Sequence, residues 1–243
     1  MRTLKEKVVV ITGASRGIGA AIARHMAVEQ ARLIICGRNK KSLQEVASSL
    51  NLSRGNYVII TADVAKASGM RKIVKTAYER FGQVDVFINN AGVGMNKLFV
   101  RTSEKEFDTI FKTNLKSVFY CFQELLPRMH RQGYGQIINI STMAAKQGVP
   151  GLSAYSASKA AMNTLSEAVA GEVRNDSIKI SVLSPASVET GFMSNLSPRS
   201  RTPSKAAQKL SVDEIAEAVV FLARQNKNAW VSLAEIRPLL LKK

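Results

Sequence analysis

Short apolar runs rich in β-branched residues alternate with helical stretches along most of the chain. The runs lie at residues 7–11, 33–36, 57–61, 84–88, 136–140 and 178–183. The segments between them, at 20–30, 42–50, 68–81, 104–131 and 153–173, predict helices. Because the runs show no polar alternation, they predict strands that are buried on both faces. With neither an internal repeat nor a linker, the 243 residues predict one α/β domain with a doubly wound parallel sheet and helices on both faces.

Two capping boxes mark the starts of later helices. Ser103-x-x-Glu106 opens a long helix to about Arg131, and Ser211-x-x-Glu214 opens the last helix, to about Arg224. Asn114 lies within the long helix, where a polar residue is ordinarily at the surface and a functional kink is the alternative. A short strand is expected near residues 235–237. Between about 187 and 205 the pattern loosens, which predicts a substrate lid or a plain surface loop.

A glycine-rich segment, Thr12-Gly-Ala-Ser-Arg-Gly-Ile-Gly19, joins the first predicted strand to the first predicted helix. This arrangement places backbone N–H groups and the positive end of a helix at one point, where phosphate is stabilised. Glycine lets a ligand approach the backbone closely. Although the spacing is Gly-x-x-x-Gly-x-Gly, the segment predicts the dinucleotide cradle of a Rossmann-type domain.

Arg38 follows the second predicted strand, at the position where dinucleotide folds meet the adenosine ribose. An acidic residue there would repel a 2′-phosphate, whereas Arg38 and Arg16 can both donate paired hydrogen bonds to one. The sequence therefore favours NADP over NAD. The alternative is an exposed polar turn.

Tyr155 and Lys159 lie four residues apart in a predicted helix, so their side chains share one face. A nearby cation favours phenolate, so Lys159 is expected to lower the pKa of Tyr155 and make it a proton donor and acceptor. A surface pair is the alternative interpretation.

The chain has 35 Lys and Arg against 18 Asp and Glu, which gives a net charge of +17. This charge favours anionic partners such as a phosphorylated cofactor or an acidic carrier, with simple solubility as the alternative. The basic residues are scattered, so no nucleic-acid partner is expected, and no metal either.

Cys36 and Cys121 predict two reduced core thiols. With no signal-peptide pattern and no membrane-length apolar run, we expect a cytoplasmic protein.

Together these motifs resemble those of the short-chain dehydrogenase/reductase family, over nearly everything from Val8 to Thr190. Besides the glycine-rich segment, the resemblance rests on Asp63-Val64, Asn89-Asn-Ala-Gly92, Asn114, Ile138-Asn-Ile-Ser-Thr142, Tyr155-x-x-x-Lys159 and Pro185-Ala-Ser-Val-Glu-Thr190.

The resemblance implies a catalytic set and a set of NADP(H) contacts. The implied catalytic residues are Asn114, Thr142, Tyr155 and Lys159. The implied cofactor contacts are Gly13, Ser15, Arg16, Gly17, Ile18, Gly19, Arg38, Asp63, Val64, Asn90, Ala91, Gly92, Tyr155, Lys159, Pro185, Val188 and Thr190. Tyr155 would protonate a carbonyl oxygen while the nicotinamide delivers hydride to the carbon. Asn114 would hold a water that links Lys159 to solvent, and Asn90 would meet the inner ribose.

The chain departs from the family pattern at three places. Thr142 stands where the family usually has serine, and Ser141 would face the other way if the strand continues. Pro185-Ala186 replaces the frequent Pro-Gly. The tail at residues 235–241 lacks the common Val-Asp-Gly-Gly ending and is similar to the tails of broad carbonyl reductases in the family.

The first hypothesis is therefore an NADPH-dependent carbonyl reductase that also works in reverse. Its mostly apolar substrate pocket is expected to be lined by Met143, Ala145, Val149, Leu152, Ser187 and Phe192. The alternatives are a β-ketoacyl carrier-protein reductase, with Arg128 and Arg131 facing the acidic carrier, and a cofactor-binding regulatory protein without turnover. By resemblance, a homodimer or homotetramer is expected, paired through helices near residues 113–129 and 153–173.

Overall fold

A computed structural model describes residues 2–190, 192 and 209–239, so most of the predicted lid lies outside the described residues. Within them the strands are β1 (Val8–Thr12), β2 (Arg32–Gly37), β3 (Tyr57–Thr61), β4 (Val86–Asn89), β5 (Gly135–Ile140), β6 (Ile178–Pro185) and β7 (Leu233–Ile236). They form one sheet in the order β3-β2-β1-β4-β5-β6-β7, in which every described pair is parallel. The chain winds outward from β1 in both directions, which confirms the predicted doubly wound sheet.

Helices cover both faces of the sheet. They are α1 (Gly17–Val28), α2 (Lys40–Ser48), α3 (Ala67–Phe81), α4 (Glu104–Phe111), α5 (Ser117–Gln132), α6 (Ser153–Val173) and α7 (Val212–Ala223). One apolar cluster joins the sheet to α1, α2 and α7, and another joins it to α3, α5 and α6. In β1, Val9 and Ile11 belong to the first cluster, while Val8 and Val10 belong to the second. This two-sided burial explains why the strand reads as a continuous apolar run.

The predicted long helix from residue 104 to about 131 is wrong as a single element. A π-helical turn at Lys112–Lys116 separates α4 from α5. Smaller shifts affect other elements: α1 begins at Gly17 rather than at residue 20, and the last strand is Leu233–Ile236 rather than 235–237.

Cys36 and Cys121 are buried free thiols, as the sequence predicts. Burial raises the pKa of both, that of Cys121 to about 12, which leaves them protonated and unreactive at neutral pH. Among the described residues, no helix combines the length and apolar character needed to cross a bilayer.

The strands end together at the carboxyl edge of the sheet, where ligands bind in folds of this kind. Thr12, Asn89, Ile140 and Pro185 are the last residues of the four central strands, β1, β4, β5 and β6. Helices α1 and α6 also begin at this edge, so their first turns face the same space.

Candidate active site

The glycine-rich loop leaves room for a ligand at the first turn of α1. Gly13 and Gly17 have φ values of +65° and +56°, which side-chain-bearing residues rarely adopt. A Cβ added to Gly13 would lie 2.8 Å from Ala91 Cα, so the loop packs closely on the end of β4. Arg16, the residue that caps α1, makes no side-chain hydrogen bond to the first turn. The N–H groups of that turn are thus left without a side-chain acceptor, as a phosphate cradle requires.

Thr12 and Asn90 hold this loop against β4. The Thr12 hydroxyl donates to the Ile88 carbonyl oxygen at 3.2 Å and accepts from the N–H groups of Asn90 and Ala91 at 3.0 and 3.1 Å. Asn90 Nδ2 donates to the carbonyl oxygens of Thr12 at 2.9 Å and Gly13 at 3.2 Å. The Asn90 amide group is therefore committed to the loop, and only its oxygen remains for the implied ribose contact. The bracing role of Thr12 escapes sequence reasoning, because a threonine at a strand end is common.

The adenosine side of the candidate site is built from the ends of β2 and β3. Ala14 N donates to the Cys36 carbonyl oxygen at 3.0 Å, which ties the glycine-rich loop to β2. Arg16 lies two residues after Ala14, and Arg38 lies two residues after Cys36. Both arginines are exposed. After β3, the Asp63 carboxylate accepts from the N–H of Ala65 at 3.0 Å. The half-buried Asp63 and the buried Val64 lie at the same edge.

Tyr155 and Lys159 both lie inside the protein, on the first turns of α6. Their exposed fractions are 9% and 4%. Burial raises the pKa of Tyr155 to about 12, and a hydrogen bond with the Thr142 hydroxyl opposes that rise. Burial lowers the pKa of Lys159 to about 8, and its Nζ donates to the Ile140 carbonyl oxygen at 2.7 Å. The expectations of a surface pair and of a lowered Tyr155 pKa are therefore both wrong, because desolvation dominates both groups.

Thr142 and Ser141 point to different partners. The Thr142 hydroxyl lies near enough to the Tyr155 phenol to oppose the rise in the Tyr155 pKa, and it accepts from the N–H of Ala144 at 3.3 Å. Ser141 is buried, and its hydroxyl donates to Asn163 Oδ1 at 2.7 Å. The structure thus places Thr142, rather than Ser141, beside the phenol.

Asn114 lies inside the π-helical turn, and the interpretation of it as a surface residue is wrong. It is 1% exposed. Its Oδ1 accepts from Val93 N at 2.9 Å, and its Nδ2 donates to Val93 O at 2.9 Å and to Ser158 Oγ at 3.0 Å. A buried amide needs such partners, and the wider turn places Asn114 where they are available.

The space between Asn114 and Lys159 is bounded by Gly92. A Cβ added to Gly92 would lie 3.3 Å from Asn114 Oδ1 and 3.8 Å from Lys159 Nζ. Two polar groups therefore border the gap beside Gly92. Such a gap matches the water position that the resemblance implies.

A comparison with known protein families decides the assignment. The family model described as short chain dehydrogenase matches residues 7–201. The chain belongs to this family. As a short-chain dehydrogenase it is an oxidoreductase and therefore an enzyme, which removes the alternative of a regulatory protein without turnover.

Similar proteins cover the chain almost completely. An uncharacterized oxidoreductase of Staphylococcus aureus strain USA300 is 33% identical over 98% of this chain and 100% of its own length. A metagenomic short-chain oxidoreductase, solved in complex with NADP, is 30% identical with a TM-score of 0.84, over 98% of this chain and 100% of that one.

Two further solved structures are similar. The alcohol dehydrogenase of Thermococcus sibiricus, complexed with 5-hydroxy-NADP, is 32% identical with a TM-score of 0.86, over 98% of both chains. Levodione reductase is 27% identical with a TM-score of 0.88, over 96% of both chains.

The short-chain dehydrogenase does not gather all six predicted substrate residues in one place. Phe192 lies against Tyr155, with the two ring centroids 5.9 Å apart. Ala145 and Val149 instead line a depression of about 520 Å³ on the surface of α6. Ser187 is exposed, and its carbonyl oxygen accepts from Leu210 N at 2.9 Å. Met143 and Leu152 are half-buried, one directly after Thr142 and the other directly before α6.

The segment after β6 brings the predicted nicotinamide contacts to the carboxyl edge. Pro185 ends β6, and the half-buried Val188 pairs with Leu210. Thr190 faces the start of α1, since a Cβ added to Gly17 would lie 3.6 Å from Thr190 Cγ2. The segment after the carboxyl end of β6 and the glycine-rich loop therefore border one cleft.

Arg128 and Arg131 lie at the other edge of the sheet. They line a depression of about 460 Å³ with Tyr78, and the Arg128 guanidinium lies 5.2 Å from the Tyr78 ring centroid. Helix α5 ends near the start of β5, so this depression is at the edge where strands begin. The placement gives no support to a carrier protein that docks on this arginine pair while feeding a substrate to Tyr155.

Proposed function

We propose that this short-chain dehydrogenase is an NADPH-dependent carbonyl reductase that interconverts ketones or aldehydes and alcohols. The observation that carries the proposal is the Thr142 hydroxyl beside the Tyr155 phenol, with the buried Lys159 one helical turn further along α6. Solved structures of similar proteins include one with NADP, an alcohol dehydrogenase with 5-hydroxy-NADP, and levodione reductase.

The loop geometry fits a nicotinamide dinucleotide. Side chains at Gly13 and Gly19 would collide with the Asn90 side chain that braces the loop, since an added Cβ would lie 2.9 and 2.5 Å, respectively, from Asn90 Nδ2. Residues that would hold the cofactor are Gly13, Ser15, Arg16, Gly17, Ile18, Gly19, Asp63, Val64, Asn90, Ala91, Gly92, Lys159, Pro185, Val188 and Thr190. When bound, the nicotinamide supplies the hydride.

Arg38 and Arg16 support the preference for NADPH. Both guanidiniums are exposed at the edge where the glycine-rich loop meets β2. Two guanidiniums can bind one phosphate through several charge-assisted hydrogen bonds. The net charge of +17 further attracts a cofactor that carries an additional phosphate.

The residues of the chain itself perform the proton chemistry. Because its pKa is about 12, Tyr155 carries its proton at neutral pH and can donate it to a carbonyl oxygen. The Thr142 hydroxyl stabilises the resulting phenolate through the hydrogen bond that already opposes the rise in pKa. Lys159, whose pKa is about 8, exchanges protons readily near neutral pH, and the gap beside Gly92 and Asn114 offers a path for them.

The proposal includes a cytoplasmic homo-oligomer that pairs through α5 and α6. Phe119 on α5 is 42% exposed, so this helix offers an apolar side chain to a partner. Buried free thiols suit a reducing compartment. Light scattering after size exclusion would show a mass of two or four chains, whereas a monomer would contradict this part of the proposal.

The experiment that tests the activity measures NADPH consumption against a panel of diketones, keto esters, aldehydes and an acetoacetyl thioester. Tyr155→Phe should fold normally and lose turnover. Tyr57→Phe is the matched control, because Tyr57 begins β3 at the edge away from the site. Retained turnover in Tyr155→Phe would refute the proton-donor role, and a preference for the thioester would favour the β-ketoacyl reductase alternative.

A further inference from the structure

Ser158 connects the two elements that carry the catalytic residues. It precedes Lys159 on α6 and has no exposed surface. Its hydroxyl donates to the Tyr155 carbonyl oxygen at 2.7 Å and accepts from Asn114 Nδ2 at 3.0 Å. One hydroxyl group thus joins the first turn of α6 to the π-helical turn between α4 and α5.

Among the described residues, the other hydrogen-bond partner of the Asn114 side chain is Val93. The backbone of Val93 pairs with both ends of the Asn114 amide, at 2.9 Å in each case. Val93 belongs to the loop after β4 and not to α6. Without the Ser158 hydroxyl, an Asn114 N–H would lose its acceptor inside the protein. A buried unpaired donor is unfavourable, so the Asn114 side chain or its turn would shift.

We propose that Ser158 is a positioning residue for carbonyl reduction, which fixes Asn114 relative to Tyr155 and Lys159. The inference rests on the proposed function. Asn114 Oδ1 and Lys159 Nζ border the gap beside Gly92, at 3.3 and 3.8 Å from an added Cβ. Because Asn114 Oδ1 is the nearer of the two groups, a displacement of the Asn114 side chain changes the shape of this gap. Ser158 therefore acts on the proton path through Asn114 and does not touch the substrate.

Ser166 offers a matched control on the same helix. Its hydroxyl donates to the Met162 carbonyl oxygen at 2.7 Å and accepts from Asn139 Nδ2 at 2.8 Å, and it is equally buried. It lies eight residues beyond Ser158, about 12 Å along the helix axis. Ser166→Ala removes the same pair of hydrogen bonds as Ser158→Ala but leaves Asn114 in place.

The test compares both alanine variants with the wild type in two measurements. The first is the pH dependence of kcat and KM for NADPH-dependent carbonyl reduction. Ser158→Ala should lower kcat about tenfold, alter its pH profile, and leave KM within about twofold, because only positioning is lost. Ser166→Ala should keep kcat and its pH profile. Ser158→Cys, which retains a weak donor and acceptor, should give an intermediate kcat and serves if the alanine variant fails to fold.

The second measurement is hydrogen exchange at the Val93 amide in the cofactor-free protein. This amide donates to Asn114 Oδ1, so it reports the position of Asn114 without any turnover. Ser158→Ala should accelerate its exchange, and Ser166→Ala should not once global stability is matched. Equal effects of the two variants on kcat, or unchanged Val93 exchange in Ser158→Ala, would overturn the proposal. If the wild type reduced no carbonyl, the proposed function would fail, while Val93 exchange would still show whether Ser158 holds Asn114.

Discussion

The ammonium group of Lys159 donates to the main-chain oxygen of Ile140 at 2.7 Å, inside a site where burial lowers its pKa to about 8. A charged amine in these surroundings destabilises the folded protein, because its ordinary pKa of 10.5 is recovered on unfolding. The proposed catalytic role of Lys159 would account for a buried lysine that lowers the stability of the folded protein.

Lys159→Met should be inactive yet more stable than the wild type at neutral pH. Since the unfolded chain binds the Lys159 proton more tightly, the wild type carries the full penalty below pH 8. The penalty, on the order of 3 kcal/mol, fades as the pH rises from about 8 to 10.5. Denaturant unfolding at several pH values measures the free energy of unfolding of both proteins. The difference between them should be largest near pH 7. Lys75→Met, at an exposed position, should have nearly the free energy of unfolding of the wild type. A difference for Lys159→Met that did not change with pH would contradict the prediction.

Gly92→Ala should fold and lose most of its turnover. The added methyl group would occupy the gap between Asn114 Oδ1 and Lys159 Nζ, with only slight adjustment of the neighbours. We expect kcat to fall by at least about tenfold, as for other losses of proton transfer. Gly171→Ala is the control, because an added Cβ there meets nothing within 4 Å. Gly171→Ala should keep its activity and gain roughly 0.5–1 kcal/mol of stability; equal activity of the two variants would remove the gap from the mechanism.

Arg38→Asp should reverse the preference between the two nicotinamide cofactors. A carboxylate at this exposed position would repel the 2′-phosphate and accept from ribose hydroxyls. The ratio of kcat/KM for NADPH to that for NADH should fall by about a hundredfold, which corresponds to two charge-assisted hydrogen bonds. Arg54→Asp makes the same charge change in the exposed loop before β3. If Arg54→Asp shifted the ratio as much, the effect would be long-range electrostatics rather than contact.

Phe192→Ala and Gly94→Ala should change substrate preference in the same direction. Phe192 packs against Tyr155, and a Cβ added to Gly94 would lie 2.7 Å from Phe192 Cε1. Phe192→Ala removes this ring, and the methyl group added in Gly94→Ala forces the ring to shift, so we expect both changes to alter the space beside the phenol in favour of larger carbonyls. We expect a lower KM for bulky ketones in each variant, and no further gain in the double variant, because both act on one ring. Additive effects would show that Gly94 acts independently of Phe192.

Much of the fold follows from local patterns in the sequence. The apolar runs of β1, β2 and β3 predict strands because two helical layers cover them. The glycine-rich segment and the residues at the ends of β4 and β5 predict where the candidate site lies, since parallel strands end at one edge.

Other features of the site depend on tertiary packing. The π-helical turn around Asn114 does not follow from a helical pattern, because Asn114 makes its three hydrogen bonds to Val93 and Ser158, 21 and 44 residues away. The pKa of Tyr155 was expected to fall on the basis of sequence spacing alone. The spacing places Lys159 on the same helix face, but it does not report how deeply both side chains are buried, and burial decides the sign.

The bonds from Thr12 and Asn90 have a consequence for the order in which the protein assembles. They join residues 78 positions apart, so the glycine-rich loop gains its bracing only when β4 has docked beside β1. When the nascent chain has emerged from the ribosome only as far as β3, it contains every glycine of the motif. It still lacks the hydrogen bonds between Thr12 and Asn90 that hold the loop. Nucleotide capture during synthesis therefore has to wait for the fourth strand, and early fragments of the chain should compete poorly for cofactor.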